Sequence, residues 1–254
     1  MFAAPLTRPV ALRYSKPMSR ATGTGAVLAV AALVGAVVLA GSAPLEGGVQ
    51  TTGTITGVVT MNNPPAPSTV VVNADQAVCG DTVPYQETLA DTAGHVANAV
   101  VTVAGVAWPA SVPQATINNI DCLFVPHVQI APTRSQLEIT SEDDTLHSTH
   151  SYDDRNRTDF NIAMPFSGMN VTRPLRRPGV VRVECDSHGW MRGWIVVSND
   201  VGAVSGLDGS FTIDGVPAGT HELSIWHERL GGQPQTVTVT AGATTQVEFK
   251  LEQP

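Results

Sequence analysis

The stretch Cys185-Asp-Ser-His-Gly-Trp-Met-Arg-Gly-Trp-Ile-Val-Val197 decides how the chain is read. It places a thiol, an imidazole and a thioether at three-residue intervals, at Cys185, His188 and Met191. A packed core gains nothing from that grouping, whereas a metal ion does. Thiolate, imidazole and thioether are soft or borderline donors, which favour copper over magnesium, calcium or manganese. Zinc competes for the thiolate and the imidazole, but its sites rarely use methionine.

Outward from this loop the sequence alternates as strands do. In "PGVVRVEC", 178–185, a Pro-Gly turn leads into a strand whose Val181, Val183 and Cys185 share one face, with Arg182 and Glu184 on the other. The sulfur of Cys185 is thus expected to point inward at a strand end. A strand resumes at Trp194. Upstream, "TGTITGVVT" at 52–60, "STVVVNAD" at 68–75, "NAVVTVAGV" at 98–106, "HVQIAP" at 127–132 and "QLEIT" at 136–140 are short β-branched runs broken by Gly, Pro, Asn and Asp. No helical stripe of useful length occurs, and the fold class is all-β. A two-histidine, one-cysteine copper site with an axial methionine needs one more imidazole. "DDTLHSTHSYD", 143–153, supplies His147 and His150.

These residues resemble the cupredoxins, and the short-loop amicyanin type in particular, whose copper loop is also Cys-x-x-His-x-x-Met before a closing strand. "LHSTHS" is similar to that family's first-ligand segment, and "CLFVPHVQIAPTRSQLEIT" to the strands before it. The resemblance covers 114–199 and implies a cupredoxin-like Greek-key β-sandwich. It also implies one type 1 copper ion held by His147, Cys185, His188 and Met191, with His150 the alternative first ligand and His127 a weaker rival. Two departures stand out. Ser148 replaces the family's asparagine and is shorter for bracing the cysteine loop, and the turn before the second strand reads Thr133-Arg134-Ser135 without glycine. With Cys185 required as a free thiolate, Cys79 and Cys122 are expected to form a disulfide, as suits an exported protein. Met164 and Met169 are read as packing residues.

The flanks have separate readings. Residues 1–43 carry Arg8, Arg13, Lys16 and Arg20 ahead of an uncharged apolar run, Gly25–Gly41. This is a signal peptide with small residues for cleavage near Ser42 or Ala43. The run falls just short of the roughly 18 residues of a spanning helix, so membrane attachment through an uncleaved N-terminal anchor stays open. The location is periplasmic or extracellular. Residues 203–252 form a regular meander with an Asp208-Gly209 hairpin signal and alternating Phe211/Ile213, Leu223/Ile225 and Val237/Val239. "DGSFTIDGVPAGTHELSIWHE" there resembles the carboxypeptidase regulatory-like, transthyretin-type domains, a second small β-sandwich. "GTITGVVT" is similar to that family's opening strand, so the N-terminal β segment, 51–107, is expected to pack with the C-terminal domain.

The formal net charge is -8, with 14% charged residues. No basic stripe is available for phosphates, which excludes a nucleic-acid binder. "HELSI" and "HERLG" lack the second histidine of a zinc protease, and no nucleophile elbow, phosphate loop or carboxylate pair stands out. "SYDDRNRTD" is taken as a solvated loop. The implied role is an electron carrier, not an enzyme, exchanging single electrons with redox protein partners. The alternatives are copper delivery or storage, or a cell-surface interaction module.

Overall fold

The computed structural model describes residues 51–112 and 114–253, and the leader at 1–43 lies outside them. The chain runs through β1 (Thr52–Met61), β2 (Thr69–Val71), α1 (Gln76–Cys79), β3 (Thr82–Pro84) and β4 (Val100–Ala107). It continues as β5 (Ala115–Ile120), β6 (Leu123–Val125), β7 (Val128–Pro132), β8 (Gln136–Ser141), β9 (His147–Tyr152), β10 (Thr158–Met164), β11 (Asn170–Pro174), β12 (Gly179–Glu184) and β13 (Arg192–Ser198). It ends as β14 (Asp200–Val204), β15 (Ser210–Pro217), β16 (Gly219–Trp226), β17 (Gln235–Val239) and β18 (Thr244–Leu251). Among the described residues no helix is long and apolar enough to cross a membrane.

The expected all-β class is what forms, as two sandwiches. The first stacks a sheet of order β10-β9-β12-β13-β7 on one of order β11-β8-β5-β6. Its core is built from alternate residues, Leu137 and Ile139 from β8 against Val183, Ile195 and Val197 from β12 and β13. The second stacks β15-β1-β18 on β14-β4-β16-β17 around Ile55, Val101, Val103, Leu223 and Phe249. Here β1 lies between β15, antiparallel, and β18, parallel. Gly57 makes room for this pairing, since a Cβ there would sit 2.5 Å from the Phe211 ring.

The N-terminal segment divides between the two cores. β1 and β4 complete the C-terminal sandwich, whereas β2, α1 and β3 form a flap whose Val72, Cys79 and Val83 pack into the core of the first. The expected strand at 68–75 is correspondingly cut short at Val71. Asp75 takes a left-handed conformation (φ 51°), and its carbonyl accepts the N–H groups of Val78 and Cys79, both at 2.9 Å. That single helical turn was not legible as a periodic pattern. The turn at Thr133-Arg134-Ser135 manages without glycine because Arg134 itself adopts φ 69°. The expected Cys79–Cys122 disulfide is present and ties the flap to the β5–β6 turn.

Candidate metal centre

β12 delivers Cys185 to the end of the first sandwich, and the chain then turns back within seven residues into β13. The N–H of Met191 donates to the carbonyl of His188 (2.9 Å), and that of Cys185 to the carbonyl of Met191 (3.3 Å). This double closure buries Cys185, His188 and Met191 while Asp186, Ser187 and Gly189 stay exposed. β9 pairs with β12, Glu184 opposite His150, and so brings its first residue, His147, to the same end. The three donor atoms of His147, Cys185 and His188 lie within 4.8 Å of one another. His147 and His188 are fully buried, and Cys185 and Met191 nearly so.

The proton inventory of this cluster points to a cation. His147 donates Nε2–H to Asp143 Oδ2 (3.0 Å), and His188 donates Nε2–H to Asp75 Oδ2 (2.9 Å), because a carboxylate can only accept. Each neutral imidazole has then spent its one proton. Yet the two Nδ1 atoms face each other at 3.0 Å, and His188 Nδ1 lies 3.6 Å from Cys185 Sγ. Lone pairs opposed at that distance repel unless a positive species, a metal ion or a shared proton, lies between them. Burial, then the neighbouring His188, pushes the His147 pKa below its ordinary value, with Asp143 opposing. Both lowering causes favour the neutral form of that ring.

The sulfur is equally prepared. Cys185 is the free cysteine, and its Sγ accepts the backbone N–H of Ser148 at 3.3 Å. Although shorter than asparagine, Ser148 does tie the loop: its Oγ accepts the N–H of Asp186 at 2.7 Å. Trp190 donates its indole N–H to the carbonyl of Cys122 (3.0 Å) and packs 4.9 Å from the His188 ring. The sulfur of Cys185, two imidazoles and the thioether of Met191 form a cluster whose donor set would suit copper.

The other candidates are placed elsewhere. His150 is engaged on the outer side, with Asp186 Oδ1 at 2.9 Å and Thr158 Oγ1 at 2.8 Å, and stacked on Tyr152. His127 holds the carbonyl of Arg192 and the carboxylate of Glu228. Met164 is a fully buried core residue opposite His147 in the β9–β10 pair, and Met169 packs at the edge of the same core. A second grouping, Cys122 with Asp143 and His147, offers no thiolate because Cys122 is oxidised. Asp75 and Asp143 were not singled out from sequence. Asp143 stands four residues before His147, a readable spacing, but Asp75 is 113 residues from His188 and carries no such sign.

A family profile described as "Polysaccharide lyase family 4, domain II" matches residues 189–247. A search of curated proteins finds no match. Among solved structures, the chain is similar to a purple cupredoxin from Nitrosopumilus maritimus, with 22% identity and a TM-score of 0.30 over 34% of this chain and all of that one. It is similar to amicyanin from Paracoccus versutus, with 14% identity and a TM-score of 0.31 over 39% of this chain and 97% of that one. It is also similar to the copper-containing nitrite reductase of Thermus scotoductus SA-01, with 21% identity and a TM-score of 0.30 over 39% of this chain and 26% of that one.

Proposed function

We propose that His147, Cys185, His188 and Met191 hold one copper ion, and that the protein carries single electrons between redox partners outside the cytoplasm. The observation that carries this reading is the buried convergence of Cys185 Sγ with two imidazoles whose Nε2 atoms are turned away onto carboxylates, leaving both Nδ1 atoms facing inward. Copper in such a donor set supplies a one-electron Cu(I)/Cu(II) couple. Cys185 would supply the strong covalent link, His147 and His188 the imidazole bonds, and Met191 the weak thioether contact. Four protein ligands leave no open position for a substrate, which argues for a carrier over a metalloenzyme. Export agrees with the apolar leader at 1–43, whether cleaved or kept as an anchor, and with the Cys79–Cys122 disulfide. The redox partner is a protein meeting the loop near Gly189 and Trp190 through a small transient interface.

The visible spectrum of the copper-loaded protein tests the reading. An intense thiolate-to-Cu(II) absorption is expected, abolished in Cys185→Ala while the strand signal in circular dichroism persists. A colourless protein that binds Cu(I) or Zn(II) tightly would overturn the carrier in favour of a store. Fast, reversible oxidation and reduction by small reagents is the further property that a carrier must show.

A further inference from the structure

We propose that Asp75, reaching in from the flap, is a positioning residue for the ligand His188; the inference rests on the copper reading above. The geometry is specific. Asp75 Oδ2 accepts the Nε2–H of His188 at 2.9 Å across 113 residues of sequence. Fixing that proton on Nε2 leaves the Nδ1 lone pair for the metal, and partners of this kind orient the ring and raise its basicity.

The local backbone shows what the carboxylate is for. Asp75 is the residue before the first turn of α1, where an aspartate ordinarily accepts N–H groups of that turn through its side chain. It makes no such bond; its backbone carbonyl takes the N–H groups of Val78 and Cys79 instead. The carboxylate is thereby free to face His188. The flap is held in place independently of any metal. Val72, Cys79 and Val83 are buried in the first core, Gln76 Nε2 donates to the carbonyl of Val72 (2.9 Å), and Cys79 is bonded to Cys122.

The same disulfide joins the two segments whose carboxylates serve the two histidines. Cys79 N–H donates to the Asp75 carbonyl, and Cys122 N–H donates to Asp143 Oδ2 at 2.8 Å. Asp143 in turn holds His147. One cross-link thus sets both imidazoles. The flap also shuts the outer edge of His188, which is fully buried while the Asp75 side chain is half exposed. A partner approaching this edge meets Asp75, not bare imidazole. The carboxylate's charge favours Cu(II) over Cu(I).

The test compares wild type, Asp75→Asn, Asp75→Ala and the charge control Asp159→Asn, an exposed aspartate on β10. In the metal-free protein, solvent exchange of the His188 imidazole N–H is followed by nitrogen-15 NMR. It is expected to accelerate at least about tenfold in Asp75→Ala, the loss of a bond to a charged acceptor. Asp75→Asn should fall between, because its amide oxygen still accepts. With copper, Asp75→Ala should lower Cu(II) affinity by roughly 10–100-fold. If Cu(I) affinity falls about tenfold less, the potential rises by about 59 mV. Asp75 variants that match Asp159→Asn in N–H exchange and in Cu(II) affinity would overturn the proposal. Failure of the copper reading is separate and visible in wild type, as no thiolate-to-copper band, while the metal-free exchange still reports whether Asp75 positions the ring.

Discussion

Asp143 is shared between the candidate metal centre and the fold. Its Oδ1 accepts the N–H of Asp121 at 2.8 Å, and its Oδ2 accepts both Cys122 N–H at 2.8 Å and the Nε2–H of His147 at 3.0 Å. Asparagine has one acceptor oxygen for these three donors. Asp143→Asn is therefore expected to lower the unfolding free energy by about 1–3 kcal/mol, the cost of a buried donor left unmatched. It should also weaken copper binding by roughly 10–100-fold through the loosened imidazole. Urea unfolding and a competition titration read the two effects, and a variant unchanged in both would show that the ring is held by packing alone. Cys185, His188 and Met191 could be read from sequence because three donors recur at one spacing in one loop. The choice between His147 and His150 depends on how β9 registers against β12, which no local pattern encodes. Asp75 was out of reach for a related reason: its partner is brought to it only by the finished fold.

Many strands with one buried face were legible, although β5, whose residues also alternate, was not. The runs at 52–60, 98–106, 127–132 and 136–140 each overlap an observed strand, because alternation of apolar and polar residues is the direct trace of a half-buried sheet. The flap leaves a fainter trace: the run at 68–75 marks β2 but overshoots it, and α1 and β3 were not read. Its strands have three residues and its helix four, too short for any period, and its order comes from Cys79–Cys122 and the buried apolar anchors Val72 and Val83. That dependence can be measured. The disulfide closes a loop of 43 residues, worth about 4 kcal/mol in the chain-entropy description. The double variant Cys79→Ser, Cys122→Ser should lose about this much stability and be cleaved first within 69–84 under limited proteolysis. An unchanged denaturation midpoint, or first cleavage elsewhere, would mean that the apolar anchors suffice.

The first sandwich is an insertion in the second. The chain leaves through β4 and returns through β14, and these two strands pair with each other, Asp200 opposite Ala107 and Val204 opposite Val100. The joint is polar, buried at His127 and Glu228 and open to solvent at Arg229. Glu228, from the loop after β16, accepts from His127 and from the indole of Trp194 (2.6 Å), while Arg192 and Arg229 converge on Glu87. Next to this joint His227 is buried, with Nδ1 accepting the N–H of Arg229 and Nε2 without a partner. Burial, and secondarily the nearby His127, depresses its pKa to about 4. A depressed histidine stabilises the fold at neutral pH, where it is uncharged in both states. As pH falls below about 6.5 the unfolded chain takes the proton first, so stability declines, and the decline levels off once the folded pKa is passed. The separation between those values corresponds to a loss of about 3 kcal/mol. Other groups titrate in the same range, so the informative quantity is the difference between wild type and His227→Gln, measured by urea unfolding at pH 7, 5 and 4. The wild type should lose its advantage, or acquire a deficit, as pH falls. A difference independent of pH would show that the joint tolerates a charged His227, and that acid acts on the two sandwiches elsewhere.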